Sequence, residues 1–251
     1  MTGLLASVVS IAEARLALEG GADLIDLKDP AAGVLGAWPL PAIADTVRTI
    51  AGRRPLSATV GDDGGGTADI AARAAATAAA GVDFVKVGFF PGDDHRALAE
   101  ALGREAGRGA RIVAVLFADR DPDFSLLERL TGCGFAGAML DTVDKRGPSL
   151  RRCLDDARLG RFVGEARSRN LLVGLAGSLT AADVVPLLRL GPDYLGFRGA
   201  LCRGGRRDAP LDAAGLAAIR TLIPALATAP VTARRPAARP LPPARTAPPI
   251  P

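Results

Sequence analysis

Ala68-Asp-Ile-Ala-Ala-Arg-Ala-Ala-Ala-Thr-Ala-Ala-Ala-Gly-Val-Asp-Phe-Val-Lys-Val-Gly88 is the stretch that decides the fold. Ala68 to Ala80 has the composition of a strong helix former. Gly81 stops that helix, and Val82–Gly88 continues as a short run of branched and aromatic residues suited to a buried strand. The same helix, glycine and strand succession recurs at Gly20-Gly21, Gly132 and Gly191.

Working outward, strands are expected near Leu4–Val9, Ala22–Lys28, Pro55–Val60, Val82–Gly88, Arg111–Phe117, Phe135–Asp141, Leu171–Gly177 and Tyr194–Gly199. Helical patterns cover Ile11–Glu19, Leu40–Ala51, Ala68–Ala80, His95–Ala106, Ser125–Leu130, Leu150–Ser168, Ala181–Leu190 and Leu211–Ala227. Strict alternation of strand and helix gives a parallel sheet, and eight such units suit a closed (β/α)8 TIM barrel better than an open doubly wound sheet. No GxGxxG fingerprint follows the first strand, which weakens the open-sheet alternative further.

The chain has 251 residues, 49% hydrophobic and 23% charged, as expected of one soluble α/β domain. Its longest apolar runs fall short of the roughly 20 residues that span a bilayer, so a membrane protein is excluded. The N-terminus lacks a basic residue ahead of Leu4–Ile11 and reads as a first strand rather than a signal peptide. Cys133, Cys153 and Cys202 form no CxxC pair and suggest a reducing cytoplasm.

The net charge of +4 invites a nucleic-acid partner, but its position argues otherwise. Residues 229–251 hold Arg234, Arg235, Arg239 and Arg245, no acidic residue, and 8 of the 19 prolines. Without those four arginines, 27 basic residues balance 27 acidic ones. The expectation is therefore a barrel over residues 1–228 and a disordered Pro/Arg-rich tail, with Arg239-Pro-Leu-Pro-Pro243 able to form a polyproline helix.

Only Lys28, Lys86 and Lys145 are lysines, against 28 arginines. A lysine retained in such a sequence marks a place where a deprotonable amine is needed. Lys28 ends the second expected strand, Lys86 lies near the end of the fourth, and Lys145 follows the sixth by four residues. All three thus fall at the C-terminal face of the barrel, where its chemistry resides. Strand alternation turns Asp26 and Lys28 inward with Ile25 and Leu27 outward, Lys86 inward between Val85 and Val87, and Asp141 inward between Leu140 and Thr142. Crowded ammonium groups lower one another's pKa, and a neutral amine can form a Schiff base while carboxylates shuttle protons.

After the seventh strand, Gly174-Leu-Ala-Gly-Ser178 and Thr180 precede a helix, and after the eighth comes Gly196-Phe-Arg-Gly-Ala200. These small residues would let backbone N–H groups approach an anion, so Gly177, Ser178, Gly199 and Ala200 are candidate phosphate ligands, with Arg198 adding charge. The lone His95 and glutamates such as Glu13, Glu100, Glu128 and Glu165 read as solvated. Asp62-Asp-Gly-Gly-Gly66 reads as a flexible loop in preference to a metal site. No metal and no cofactor is expected.

At these residues the sequence resembles the (5-formylfuran-3-yl)methyl phosphate synthase family of methanofuran biosynthesis. The matching segments are Leu24-Ile-Asp-Leu-Lys-Asp-Pro30, Ser57-Ala-Thr-Val-Gly-Asp62, Asp83-Phe-Val-Lys-Val-Gly88, Leu140-Asp-Thr-Val-Asp-Lys145, Gly174-Leu-Ala-Gly-Ser-Leu179 and Gly196-Phe-Arg-Gly-Ala-Leu-Cys202. The resemblance implies condensation of two glyceraldehyde 3-phosphate molecules into 4-(hydroxymethyl)-2-furancarboxaldehyde phosphate, with loss of phosphate and water. It implies Lys28 as the Schiff-base lysine and Asp26, Lys86, Asp141 and Lys145 as the other active-site residues. The alternative is another Schiff-base barrel enzyme on sugar phosphates, of class I aldolase type. The expected partner is a small phosphorylated aldehyde, not a nucleic acid or a membrane, and homo-oligomerisation is left open.

Overall fold

Eight parallel strands pair in chain order, and the last closes onto the first. The computed structural model describes residues 1–62 and 64–224. The strands are β1 Gly3–Val8, β2 Leu24–Leu27, β3 Leu56–Thr59, β4 Phe84–Phe89, β5 Ile112–Phe117, β6 Gly137–Asp141, β7 Leu172–Leu175 and β8 Tyr194–Phe197. The helices are α1 Ile11–Glu19, α2 Leu40–Ile50, α3 Thr67–Ala79, α4 His95–Gly107, α5 Leu126–Gly132, α6 Leu150–Cys153, α7 Asp156–Ser168, α8 Ala181–Leu190 and α9 Ala213–Leu222. This is the (β/α)8 barrel expected from the alternation. The expected tail, its polyproline segment and the domain boundary at residue 228 lie outside the described residues. Among the described residues, no helix is long and apolar enough to cross a membrane.

One expected helix is two. The Leu150–Ser168 pattern breaks at Leu154, whose backbone is extended, and Asp155 caps the restart by accepting a hydrogen bond from Arg158 N. An Asp at that position offers the backbone a cap that competes with continued helix. Ahead of the break, Leu150 N donates to Gly177 O and ties the start of α6 to the loop after β7.

Each strand divides its side chains between two apolar layers. Ile25, Leu27, Val85, Val87 and Leu140 pack beneath the helices. Leu24, Phe84, Val115, Met139 and Tyr194 fill the barrel interior. Following β2, β4 and β6 upward, the inward positions change from apolar to ionisable: Leu24 to Asp26, Phe84 to Lys86, Met139 to Asp141. The lower layers therefore form a dry plug on which the charged layer stands.

The bases of the strands are fixed by a device repeated three times. Asp23, Asp83 and Asp193 each stand two residues after a positive-φ or helix-stopping glycine, and each turns its carboxylate to the neighbouring strand. They accept from Leu4 N at 2.8 Å, Leu56 N at 2.8 Å and Val173 N at 2.7 Å respectively. These bonds occupy strand-end donors that the barrel ladder leaves unpaired.

Gly174 has a packing duty rather than the anion-binding one suggested by its place in a glycine-rich segment. A Cβ there would lie 2.3 Å from the Tyr194 ring, so the buried tyrosine crosses the barrel only because β7 has no side chain at this point. Gly174→Ala is expected to destabilise the fold by about 1 to 3 kcal/mol through overpacking. Urea unfolding of the two proteins measures this, and equal midpoints would show that the ring moves aside freely.

Candidate active site

The charged layer is built on Asp26 of β2. Its carboxylate accepts from Ser57 Oγ at 2.6 Å and Ser7 Oγ at 3.0 Å, and pairs with Lys86 Nζ at 2.9 Å. Ser7 and Ser57 occupy inward positions on β1 and β3, a placement that strand alternation predicts for both once the registers are known. Burial alone would raise the Asp26 pKa, but the ammonium groups of Lys86 and Lys28 with the Ser57 hydroxyl outweigh it, leaving the carboxyl below its ordinary value. Burial lowers the Lys86 pKa, with Asp26 opposing. Lys86 Nζ also lies 5.8 Å from the Tyr194 ring centroid, where the π face helps support a buried cation.

A second carboxylate serves two amines. Asp141, at the end of β6, accepts from Lys145 Nζ at 2.5 Å and lies 3.5 Å from Lys28 Nζ. Burial acts to raise its pKa, but Lys145, Lys28 and the Thr142 N–H hold it well below the usual carboxylate range. The Lys145 pKa is lowered to about 8, first by burial and then by the Lys28 charge, with Asp141 opposing. Lys145 is thus an amine that can change protonation close to neutral pH.

Lys28 is the least restrained of the three amines: Lys86 and Lys145 each hold a carboxylate at 2.9 Å or less, whereas Lys28 has only the 3.5 Å contact. Asp26, Lys28, Lys86, Asp141 and Lys145 all line one cavity of about 410 Å³. This volume is within the range of small-molecule sites. The structure therefore brings together the five residues singled out from strand position.

The loops after β7 and β8 form the cavity's other wall, including Gly177, Ser178, Gly199 and Ala200. Gly177 has φ +113° and Ser178 has φ +49°, an uncommon backbone for serine. Such outliers cluster at ligand-binding turns. Among the described residues, the N–H group of Ser178 has no hydrogen-bond partner and remains a donor for an anion, while Gly199 and Ala200 open the short 3-10 turn Gly199–Leu201 that borders the same cavity. Asp183 accepts from Thr180 N at 2.9 Å at the start of α8, placing a carboxylate of the chain itself at that helix end.

Arg198 differs from its expected role. Its five N–H donors are all used: Nε to Arg207 O, Nη1 to Ser7 O and Glu13 Oε2, and Nη2 to Glu13 Oε1 and Ala209 O. It lines the cavity, but no donor is left for a phosphate. Glu13 is correspondingly not a solvated helix residue: it is 8% exposed and also accepts from Val9 N and Leu211 N. The Ser10-Ile-Ala-Glu13 spacing of a helix start was the available sign, because it turns a glutamate back toward the chain entering α1.

Other sequence expectations are similarly refined. His95 is half-buried, with Nε2 2.8 Å from Phe90 O and its ring 5.5 Å from Phe89. Glu100 and Glu128 are exposed and Glu165 is half-buried. Asp62 is a clamp, accepting from Val34 N at 2.7 Å and Leu35 N at 3.4 Å to draw the long loop after β2 over the mouth. Asp119, which sequence reasoning missed, accepts from Val143 N and Asp144 N at 2.8 Å and so fixes the loop carrying Lys145.

A parallel barrel with amines and carboxylates converging in a closed-bottomed cavity at its C-terminal mouth defines an enzyme. Solved structures with the same barrel include 3-hexulose-6-phosphate synthase, at TM-score 0.64 and 18% identity over 89% of this chain and 100% of that one. Another is phosphoribosyl anthranilate isomerase from Thermus thermophilus, at TM-score 0.60 and 13% identity over 88% and 98%. These likenesses concern the fold.

The family model described as 4-HFC-P synthase matches residues 4–220, and the chain belongs to that family. A protein of Methylorubrum extorquens provisionally named (5-formylfuran-3-yl)methyl phosphate synthase is 46% identical over 214 residues, covering 85% of this chain and 88% of the relative. The (5-formylfuran-3-yl)methyl phosphate synthase of Methanosarcina acetivorans is 36% identical over 222 residues, covering 82% and 93%.

Removing Arg198 would leave Glu13 buried without its cation. Arg198→Ala is therefore expected to cost about 3 kcal/mol and lower Tm by about 6 to 12 °C. A melting curve that coincides with the parent's would show that Glu13 finds another partner.

Proposed function

We propose that this chain condenses two molecules of glyceraldehyde 3-phosphate into 4-(hydroxymethyl)-2-furancarboxaldehyde phosphate, with release of phosphate and water, as a step toward methanofuran. The observation that carries this reading is the convergence of three amines and two carboxylates in one cavity walled by the glycine-containing loops after β7 and β8. The names of the relatives support the same product.

In this reading Lys28, with the loosest tie to a carboxylate, attacks the carbonyl of one triose phosphate and loses water to form an imine. Withdrawal of electrons by the iminium acidifies the adjacent C–H, and removing that proton gives an enamine that attacks the second aldehyde. Asp141 touches both Lys28 and Lys145, so a proton leaving Lys28 has a path to the Lys145 amine. Lys86 and Asp26, paired more deeply, hold a donor and an acceptor ready for the proton transfers that accompany phosphate loss. An arginine at any of these positions could hold phosphate but could not form the imine.

Incubating the protein with glyceraldehyde 3-phosphate alone tests the reaction: a furan absorbance should grow together with inorganic phosphate. Borohydride added during turnover should attach the triose mass to the peptide bearing Lys28, and Lys28→Arg should abolish both signals while the protein stays folded. A reversible aldol without phosphate release would instead identify a class I aldolase type of enzyme, and label on Lys86 or Lys145 would move the imine.

The Lys145 amine accepts a proton only when neutral. Below pH 8 it is an ammonium, so kcat/KM should rise with pH through an apparent pKa near 8. Lys145→Arg should remove that limb as well as most of the activity. A residual rate in the variant with the same limb would assign the titration to a different group.

A further inference from the structure

We propose that Arg207, on the segment following β8, is the residue whose guanidinium binds a substrate phosphate at the cavity mouth. This rests on the phosphorylated-substrate reading above and names the cation that reading lacks once Arg198 is engaged elsewhere.

Arg207 lines the same cavity as the three lysines and is half-buried. Among the described residues its guanidinium has no hydrogen bond and no salt bridge, whereas Arg198 has every donor filled. Asp141 and Lys145 line that cavity with it. With the Arg198–Glu13 pair set aside, Lys28, Lys86, Lys145 and Arg207 face only Asp26 and Asp141. A phosphate, with about −1.5 to −2 charge, would balance that excess and accept a bidentate contact.

The segment is built to aim this side chain. Arg198 Nε donates to Arg207 O at 3.0 Å and Nη2 to Ala209 O at 2.9 Å, so one arginine anchors the backbone that presents the other. Gly204 and Gly205 take positive φ of 64° and 71° to make the turn. At Gly199, an added Cβ would lie 3.2 Å from Gly205 O and 3.9 Å from Arg207 Cβ, so the lack of a side chain lets the segment lie close against the β8 loop. The Gly199-Ala200 backbone is therefore a neighbour of the segment and borders the same cavity.

The test titrates inorganic phosphate into the full chain by calorimetry and measures KM and kcat for glyceraldehyde 3-phosphate in parallel. Arg207→Ala and the bulk-preserving Arg207→Gln should weaken phosphate binding about 10- to 100-fold and raise KM by a similar factor, with kcat changed much less. Arg206→Ala is the control, because that exposed arginine pairs with Asp208 on the same segment and should change neither quantity. Phosphate affinity unchanged in both Arg207 variants, or an equal loss in Arg206→Ala, would overturn the assignment. If wild type forms the furan but Arg207→Ala binds phosphate normally, this inference fails alone; if phosphate binding depends on Arg207 but no furan forms, the reaction fails and the anion site stands.

Discussion

A charge taken out of water must be paired or hydrogen-bonded, and this requirement organises the mouth of the barrel. Asp26 is 1% exposed and Lys86 is 2% exposed. Each is tolerable only because the other, with Ser7 and Ser57, is in place. The upper pairing is less complete, since Asp141 is divided between Lys28 and Lys145. The inner pair is thereby a fixed structural element, and the outer trio retains one loosely held amine, Lys28. A barrel suits this arrangement because its strands hold the groups rigidly while its apolar lower layers exclude solvent from below.

The same pairing requirement recurs one layer outward with a different result. Glu13 and Arg198 consume each other and tie β1, the start of α1 and the segment after β8 into one network. Asp119 and Asp62 do comparable work with backbone donors, one holding the loop of Lys145 and the other the loop after β2. None of these carboxylates lines the cavity except through the geometry it imposes on residues that do. The site is thus a small charged set inside a ring of carboxylates that position loops.

Much of this was legible from local pattern. The alternation of Asp26, Lys28, Lys86 and Asp141 with apolar neighbours settles which way each points, because strand parity leaves two choices and burial of Ile25, Val85 or Leu140 removes one. Arg198 and Arg207 could not be sorted this way. Both sit in irregular segments, and their roles depend on Glu13 and on carbonyls far along the chain or across a turn. Gly174 misled for a related reason: its partner, Tyr194, is on the next strand, and a glycine made necessary by an opposing ring looks in sequence like one that frees a loop. The split after Leu154 was visible as Asp155, but helical periodicity continued across it.

The scarcity of lysine has a consequence for the protein's reactivity as a whole. Every ε-amine in the chain lies in one cavity, while the many surface cations are guanidinium groups that do not acylate or condense with aldehydes under mild conditions. Any reagent that modifies a side-chain amine must therefore enter that cavity to do so. A metabolite aldehyde that glycates most proteins harmlessly at their surfaces would, in this one, find side-chain amines only inside that single cavity.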